Sequence, residues 1–226
     1  MKKGNGITVL LFVLFFVGVG LLLYPSFSNY WNTKHQTKAI SEYVEDISNT
    51  DEEKNEALWK EAIAYNKMLC ETGINWILTE EEKYQEYLKV NDTGLMAYIE
   101  IPSIQCSLPI YHGTDEAVLQ VGVGHVEGSS LPVGGEGSHC VLSGHRGLPS
   151  AKLFTDLDML VEGDQFMIYT LGKTLTYEVD QISIVEPTDF SKLQIEGDKD
   201  YCTLVTCTPY GINTHRLLIR GQRIDK

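Results

Sequence analysis

The hydrophobic pattern of the chain changes three times. From Ile7 to Tyr24 the run ITVLLFVLFFVGVGLLLY carries no charge. An apolar run of about 18 residues is long enough to cross a bilayer. Lys2 and Lys3 precede it and favour keeping the N-terminus in the cytoplasm. The run is long for the core of a cleaved signal peptide, and Ser26–Ser28 ("SFS") is a weak cleavage site. The expectation is an uncleaved anchor, with everything after Tyr24 outside the cell. Beyond it, Ile40, Tyr43, Val44 and Ile47 recur at the spacing of one helical face. A second helix is predicted in TDEEKNEALWKEAIAYNKML, with Thr50 and Glu53 as a capping box. Its stripe is Leu58, Ala62, Tyr65 and Leu69, while Glu52, Glu53, Glu56, Lys60 and Glu61 face water. These helices suit a stalk, or an element packed on a larger domain. Glu71–Gly94 is irregular: Gly73 breaks the helix, and the large ring of Trp76 needs a place to bury itself.

From Gly94 onward short β-branched and aromatic runs alternate with Gly, Pro, Asn and Asp. LMAYIEIPSIQCSLPIYHG, SHCVLSGH, DQFMIYTLG, TLTYEVDQISIV, CTLVTC and HRLLIRGQRI read as strands of a mainly β barrel or sandwich. One helix is predicted between strands, in PSAKLFTDLDML, with Ser150 as its N-cap and Leu153, Phe154 and Leu157 as its apolar face. This part, about 130 residues, is long enough for one sizeable core. The expected division is a cytoplasmic tail at 1–6, a transmembrane anchor at 7–24, an extracellular helical and lid-like segment at 25–93, and a β domain at 94–226.

Charge narrows the partners. The net charge of −13 argues against nucleic acid, whose phosphates need basic patches. Setting Lys2 and Lys3 aside leaves 16 positive against 31 negative side chains outside the membrane, a net of −15. Such an acidic surface keeps an exported protein soluble. Five cysteines, Cys70, Cys106, Cys140, Cys202 and Cys207, are an odd number, so at least one is unpaired within the chain. His139, Cys140 and His145 are close in sequence, but they lack the short regular spacing of a zinc site. No cofactor or metal is expected.

The chemistry concentrates in TLVTCTPYGINTHRLLIRG (Thr203–Gly221). Pro209 cannot continue a paired central strand, so the strand ends near Cys207. If PYGIN closes a hairpin, the residues facing Cys207 fall at Thr214–Arg216, and Arg216 can stand beside the thiol. The plain alternative is a small buried Cys207 and an exposed strand charge. As a nucleophile, a thiol needs help from a nearby cation or histidine. Six histidines are available. His35 lies in the stalk, and His215 alternates away from Arg216. His145 ends a strand-like run in a loop and leads, with His125 and His112 behind it. A fixed guanidinium suits the oxyanion of an acyl transfer better than a lysine would.

Four blocks, TLVTCTPYGINTHRLLIRG, VLSGHRGLPSAKLFTDLDML, GHVEGSSLPVGG and YIEIPSIQCSLPIYHGT, together resemble the class C, pilin-assembling sortases. The resemblance runs from about Gly94 to Gly221. It implies a closed, eight-stranded β-barrel, with His145, Cys207 and Arg216 as the catalytic trio. It implies a cysteine transpeptidase on a Gram-positive surface, acting on pilin subunits that carry an LPxTG-like sorting signal. Cys207 would attack the Thr–Gly carbonyl, and His145 would protonate the leaving amine. A lysine of the next subunit would then resolve the acyl-enzyme. A sortase that anchors proteins to cell wall, and a surface domain that only binds, are the alternatives. An L,D-transpeptidase would need a Ser-x-Gly-Cys-x-Arg run, which the chain lacks.

Two departures from the family pattern stand out. Pilin sortases commonly carry a lid whose Asp-Pro-aromatic motif plugs the cysteine. Here ETGINWILTEEEK has no Asp-Pro pair, leaving Trp76 as the candidate plug and Glu71 or Asn75 as its polar companion. The family often has a second, C-terminal membrane segment, whereas the sequence given holds one apolar span; the expectation is a single-pass protein, with a truncated sequence as the alternative.

Overall fold

The computed structural model describes residues 4–74 and 81–225. The candidate plug Trp76 lies outside the described residues, as does Asn75. Helix α1, Gly4–Asn49, is longer than the sequence pattern indicates: the apolar span and the predicted helix around Ile40 form one rod, with Pro25 inside it. The side chains of Ile7–Leu23 are exposed, and this helix is long and apolar enough to cross a membrane. The outer half packs on the barrel with Tyr43, which is buried, while Val44 is exposed. Periodicity puts Val44 on the packed face. The real contact face instead includes two polar residues, Asn32 and Gln36, which donate to the carbonyls of Ser150 (2.8 Å) and Val121 (2.9 Å).

Helix α2, Glu52–Thr72, buries Ala62, Tyr65 and Leu69 as its stripe predicts, and Asn66 beside them. Its cap is Asp51, whose Oδ1 accepts from Glu53 N at 3.3 Å. The predicted cap, Thr50, instead donates its hydroxyl to Asp46 O at the end of α1. Asn66 ties α2 to the barrel by donating to Leu131 O and Gly134 O and accepting from Leu131 N. A short turn of helix, α3 (Glu81–Tyr84), comes next, and Tyr84 is buried with its hydroxyl against His125 Nδ1 at 2.9 Å.

Eight strands close a barrel. They are β1 Leu95–Ile101, β2 Cys106–His112, β3 Val123–His125, β4 Ser138–Ser143, β5 Gln165–Thr170, β6 Lys173–Val185, β7 Asp200–Thr208 and β8 His215–Arg223. A one-turn helix, α4 (Glu116–Leu119), sits between β2 and β3. Around the barrel the order is β1-β2-β3-β4-β7-β8-β6-β5. Two neighbouring pairs, β2–β3 and β4–β7, run parallel, and the rest are antiparallel. Alternation along each strand fills the interior with Ile99, Ile110, Leu142, Phe166, Ile168, Tyr177, Leu204 and Ile219, all fully buried.

The helix predicted in PSAKLFTDLDML does not form. The segment is a series of turns with a single 3₁₀ turn at Leu157–Met159. Leu153, Phe154 and Leu157 are buried as their spacing predicts. Leu153 takes a left-handed conformation (φ 39°), which a helix cannot accommodate. Ser150 is not a cap: its carbonyl accepts from Asn32, and Lys152 N donates to Asn29 Oδ1 at 2.8 Å. The segment's backbone is satisfied partly by α1 and partly by its own turns, such as Thr155 N on Lys152 O at 2.8 Å and Leu157 N on Phe154 O at 3.1 Å.

Candidate active site

Strand β7 stops at Thr208, where the cis peptide to Pro209 begins the turn. The turn Pro209–Thr214 leads into β8, and the ladder sets Cys207 directly opposite Arg216. Residues directly opposite in an antiparallel pair present their side chains to the same face. Leu204 and Thr206 point into the barrel, so Val205 and Cys207 point outward, as do Arg216 and Leu218 on β8. The thiol and the guanidinium therefore stand side by side on the barrel's outer wall.

His145 reaches the same place from β4. The parallel β4–β7 ladder ends with Ser143 beside Val205. Gly144 extends it: its N–H donates to Val205 O at 3.0 Å, and its carbonyl accepts from Thr206 Oγ1 at 2.7 Å. Continued by one more residue, this register sets His145 level with Cys207. A Cβ on Gly144 would lie 2.6 Å from the ring of Phe154, so only glycine lets that ring sit against the strand end. Phe154 N in turn donates to His145 O at 3.1 Å. The His145 Nε2 lies 3.5 Å from Glu116 Oε2, close enough for an ion pair but without hydrogen-bond geometry. Gln120, donating at 2.6 Å, and secondarily His145 hold the Glu116 carboxyl below its ordinary value.

The other histidines are occupied. His112 and His139 are buried, with ring nitrogens at the carbonyls of Gly94 and Tyr87, and at Gln194 O and Thr203 Oγ1. Desolvation depresses the pKa of both. His125 is sealed between Tyr84 and Ser130. His215 turns away from Arg216 to Glu186, 3.2 Å distant.

Among the arginines, Arg146, Arg220 and Arg223 each pair with an aspartate. Arg216 makes no ion pair among the described residues and donates only to the carbonyls of Asn213 and His215. Its guanidinium is thus available to a negative charge beside Cys207. All five cysteines are free. Cys140 and Cys202 face each other inside the barrel, and burial pushes the Cys106 thiol up to about 12. Cys207, half-buried on the outer wall, is the thiol set between a histidine and a free cation.

A strip of apolar side chains continues from this point along the outer wall. Val185 and Val205, half-buried, pack with Val126 on Val141, Leu193 and Leu218. Leu193 comes from the β6–β7 connection and covers one side. Glu71, a candidate companion of the plug, lines a cavity with Gly135, Gly137 and Gly197 near the start of β7. That is seven residues down the strand from Cys207, about 23 Å, so Glu71 does not meet the thiol. Sequence reasoning missed Glu116, Gly144 and the apolar strip. The pattern did mark Phe154 as buried, but nothing in it ties Phe154 to His145.

Comparison with known proteins agrees with this geometry. The sortase domain family matches residues 99–224. Sortase D of Bacillus subtilis is 32% identical over 174 residues, covering 76% of this chain and 85% of that relative. The crystal structure of sortase C1 from Streptococcus agalactiae superimposes with a TM-score of 0.81 at 50% identity, over 84% of this chain and 99% of that one. Sortase C of Streptococcus pneumoniae, whose structure is described as bearing on pilin substrate specificity, gives a TM-score of 0.75 at 43% identity over 84% of this chain and 97% of its own. A barrel of this topology, matched by that domain over more than half its length and by class C structures across nearly all of theirs, makes the chain a member of the sortase family of cysteine transpeptidases, of the class C type.

Proposed function

We propose that this enzyme is held in the membrane by the apolar part of α1, with its barrel outside the cell, and that it polymerises pilin subunits. Cys207 is the nucleophile, His145 the proton carrier and Arg216 the oxyanion partner. The Cys207 sulfur attacks the Thr carbonyl carbon of an LPxTG-like signal. A thioester forms and the Thr–Gly C–N bond breaks. His145 gives the departing glycine amine its proton. Arg216 hydrogen-bonds to the carbonyl oxygen while charge develops there. A lysine ε-amine of the next subunit then attacks the thioester and expels the thiolate, and its surplus proton returns to His145. The product is an isopeptide bond. Apolar side chains of the signal lie on the half-buried Val185 and Val205.

The observation that supports this reading is the Cys207–Arg216 pair of β7 and β8, with Gly144, the residue before His145, bonded to Val205 on the neighbouring strand. The test is to incubate the full-length enzyme in detergent with pilin subunits and map the joined product by mass spectrometry. A Thr-to-lysine isopeptide, absent with Cys207→Ala, is expected. Joining to a cell-wall peptide amine instead would refute the pilin reading, and turnover by Cys207→Ala would refute the nucleophile.

A further inference from the structure

The wall that α1 runs along tells which end of the barrel faces the bilayer. Near its outer start, α1 holds the β4–β5 connection through Asn29 with Lys152 N and Asn32 with Ser150 O, each at 2.8 Å. Farther along, Tyr43 donates to Met96 O, near the start of β1, and accepts from Leu171 N, just past β5. These two positions lie at the barrel end opposite Cys207. The helix therefore passes the Cys207 end first. Asn29 is five residues beyond Tyr24, about 7.5 Å of helix rise, which is within the depth of a headgroup layer. Pro25 and Ser26, the first residues past the apolar span, also line one cavity of about 480 Å³ with Gly147, Leu148, Thr155 and Tyr210. Tyr210, in the β7–β8 turn, thus stands level with the edge of the span.

That turn is built oddly for one facing water. Ile212 is 68% exposed and Tyr210 58%. The turn is closed by Ile212 N and Asn213 N on Pro209 O, at 3.1 and 2.9 Å, so its apolar tip is held outward. Pro209–Thr214 contains no charged residue. Met159 and Val161, also exposed, sit on the rim of the same barrel end, just before β5. On α1, past or at the edge of the apolar span, Tyr24, Phe27, Tyr30 and Trp31 are exposed; tyrosine and tryptophan favour a membrane–water interface.

We infer that the β7–β8 turn is a membrane-surface anchor: Tyr210 and Ile212 rest in the headgroup layer of the phospholipid bilayer that holds α1, and press the mouth at Cys207 against it. This rests on α1 crossing the bilayer, as proposed above. The catalytic rung then works at the lipid surface, and an acyl donor must present its scissile bond there. Cys207 lies two residues before Pro209 and Arg216 two after Thr214, so the strand ends that hold them are fixed at the same height.

The test uses the full chain reconstituted in phosphatidylcholine vesicles, with Ile212→Trp compared against the parent and its own tryptophans. Tryptophan emission is read in ordinary vesicles and in vesicles whose acyl chains carry bromine near the headgroup. The added tryptophan is expected to emit at shorter wavelength than in water and to lose its signal in brominated vesicles. Alkaline carbonate extraction is run in parallel. A chain that extracts from the vesicles overturns the transmembrane reading, and this inference with it. A chain that stays embedded while the residue-212 signal is untouched by bromine and quenched by aqueous iodide overturns this inference alone. Tyr210→Trp, accepted only if it still cleaves a sorting-signal peptide, gives the same readout where Ile212→Trp disturbs the turn.

Discussion

Gly144→Ala tests whether the loop bearing His145 is positioned by packing. The glycine's own backbone is not in the left-handed region, so the substitution acts by volume alone. The added methyl would meet Phe154 at 2.6, 2.9 and 3.1 Å, the first two closer than real Cβ contacts allow. Phe154 is fully buried and cannot swing into solvent. Either the ring or the strand end must move by several tenths of an ångström. Overpacking of this kind costs about 1–3 kcal/mol. The shift also runs through the Phe154 N–His145 O bond, and misplacing a catalytic group by about 1 Å can cost on the order of 100-fold in rate. The expected result is a barrel destabilised by about 2 kcal/mol, with peptide cleavage down about 10- to 100-fold at unchanged KM. Guanidinium unfolding monitored by near-ultraviolet circular dichroism gives the first number, and steady-state cleavage the second. Phe154→Leu added to Gly144→Ala should recover part of both losses, with a coupling of about 1 kcal/mol or more between the two sites. If Gly144→Ala matches the parent in stability and turnover, the ring retreats freely and His145 is not held through it.

The same geometry gives two further expected outcomes. Arg216→Lys keeps the charge but loses the planar fork, so kcat/KM for a sorting-signal peptide should fall about 100-fold. Arg220→Lys, whose parent guanidinium pairs with Asp180 and lies over Tyr201, should leave turnover nearly unchanged; equal activity in the two variants would reduce Arg216 to a structural role. Burial holds the pKa of His112 and His139 below 6.5, so unfolded chains bind protons there that folded ones refuse. Their contribution to stability is full above 6.5 and is lost as pH falls through the folded values, at up to about 1.4 kcal/mol per pH unit for each. His139→Gln should flatten that decline in chemical unfolding as the pH falls below about 6.5, and an unchanged slope would contradict the assignment.

The features legible in the sequence are those that depend on neighbours a few residues away. Seven of the strands announce themselves as β-branched and aromatic runs between turn residues, while β3, three residues long, is too short to stand out. The pairing of Cys207 with Arg216 is readable because one short turn joins their strands. The rest depends on distant contacts. Asp51 and Thr50 are both good caps, and Asp46 O, on the previous helix, decides between them by engaging Thr50. After Ser150, where no helix forms, the backbone is held in part by Asn29 and Asn32, more than a hundred residues earlier. Pro25, just past the apolar run, does not end the helix there but sits inside one continuous rod. His125 and His112 compete with His145 on local grounds, and only the carbonyls of Ser130, Gly94 and Tyr87 show them to be occupied.

The topology explains why the trio is found outside a barrel rather than in it. Phe166, Tyr177, Leu204 and Ile219 fill the interior, leaving no room for a polypeptide substrate there. On the outer wall, parallel β4 and β7 bring two strand ends to the same rim, and antiparallel β8 begins there. Neighbouring strands lie about 4.8 Å apart. His145 and Arg216 therefore flank the Cys207 backbone at about one strand spacing on either side, with the thiol in the middle. A slip of one residue between β4 and β7 would bring Gly144 or Arg146 beside the thiol and turn every core side chain of β4 outward. The buried face of the barrel thus enforces the register on which the proposed external chemistry depends.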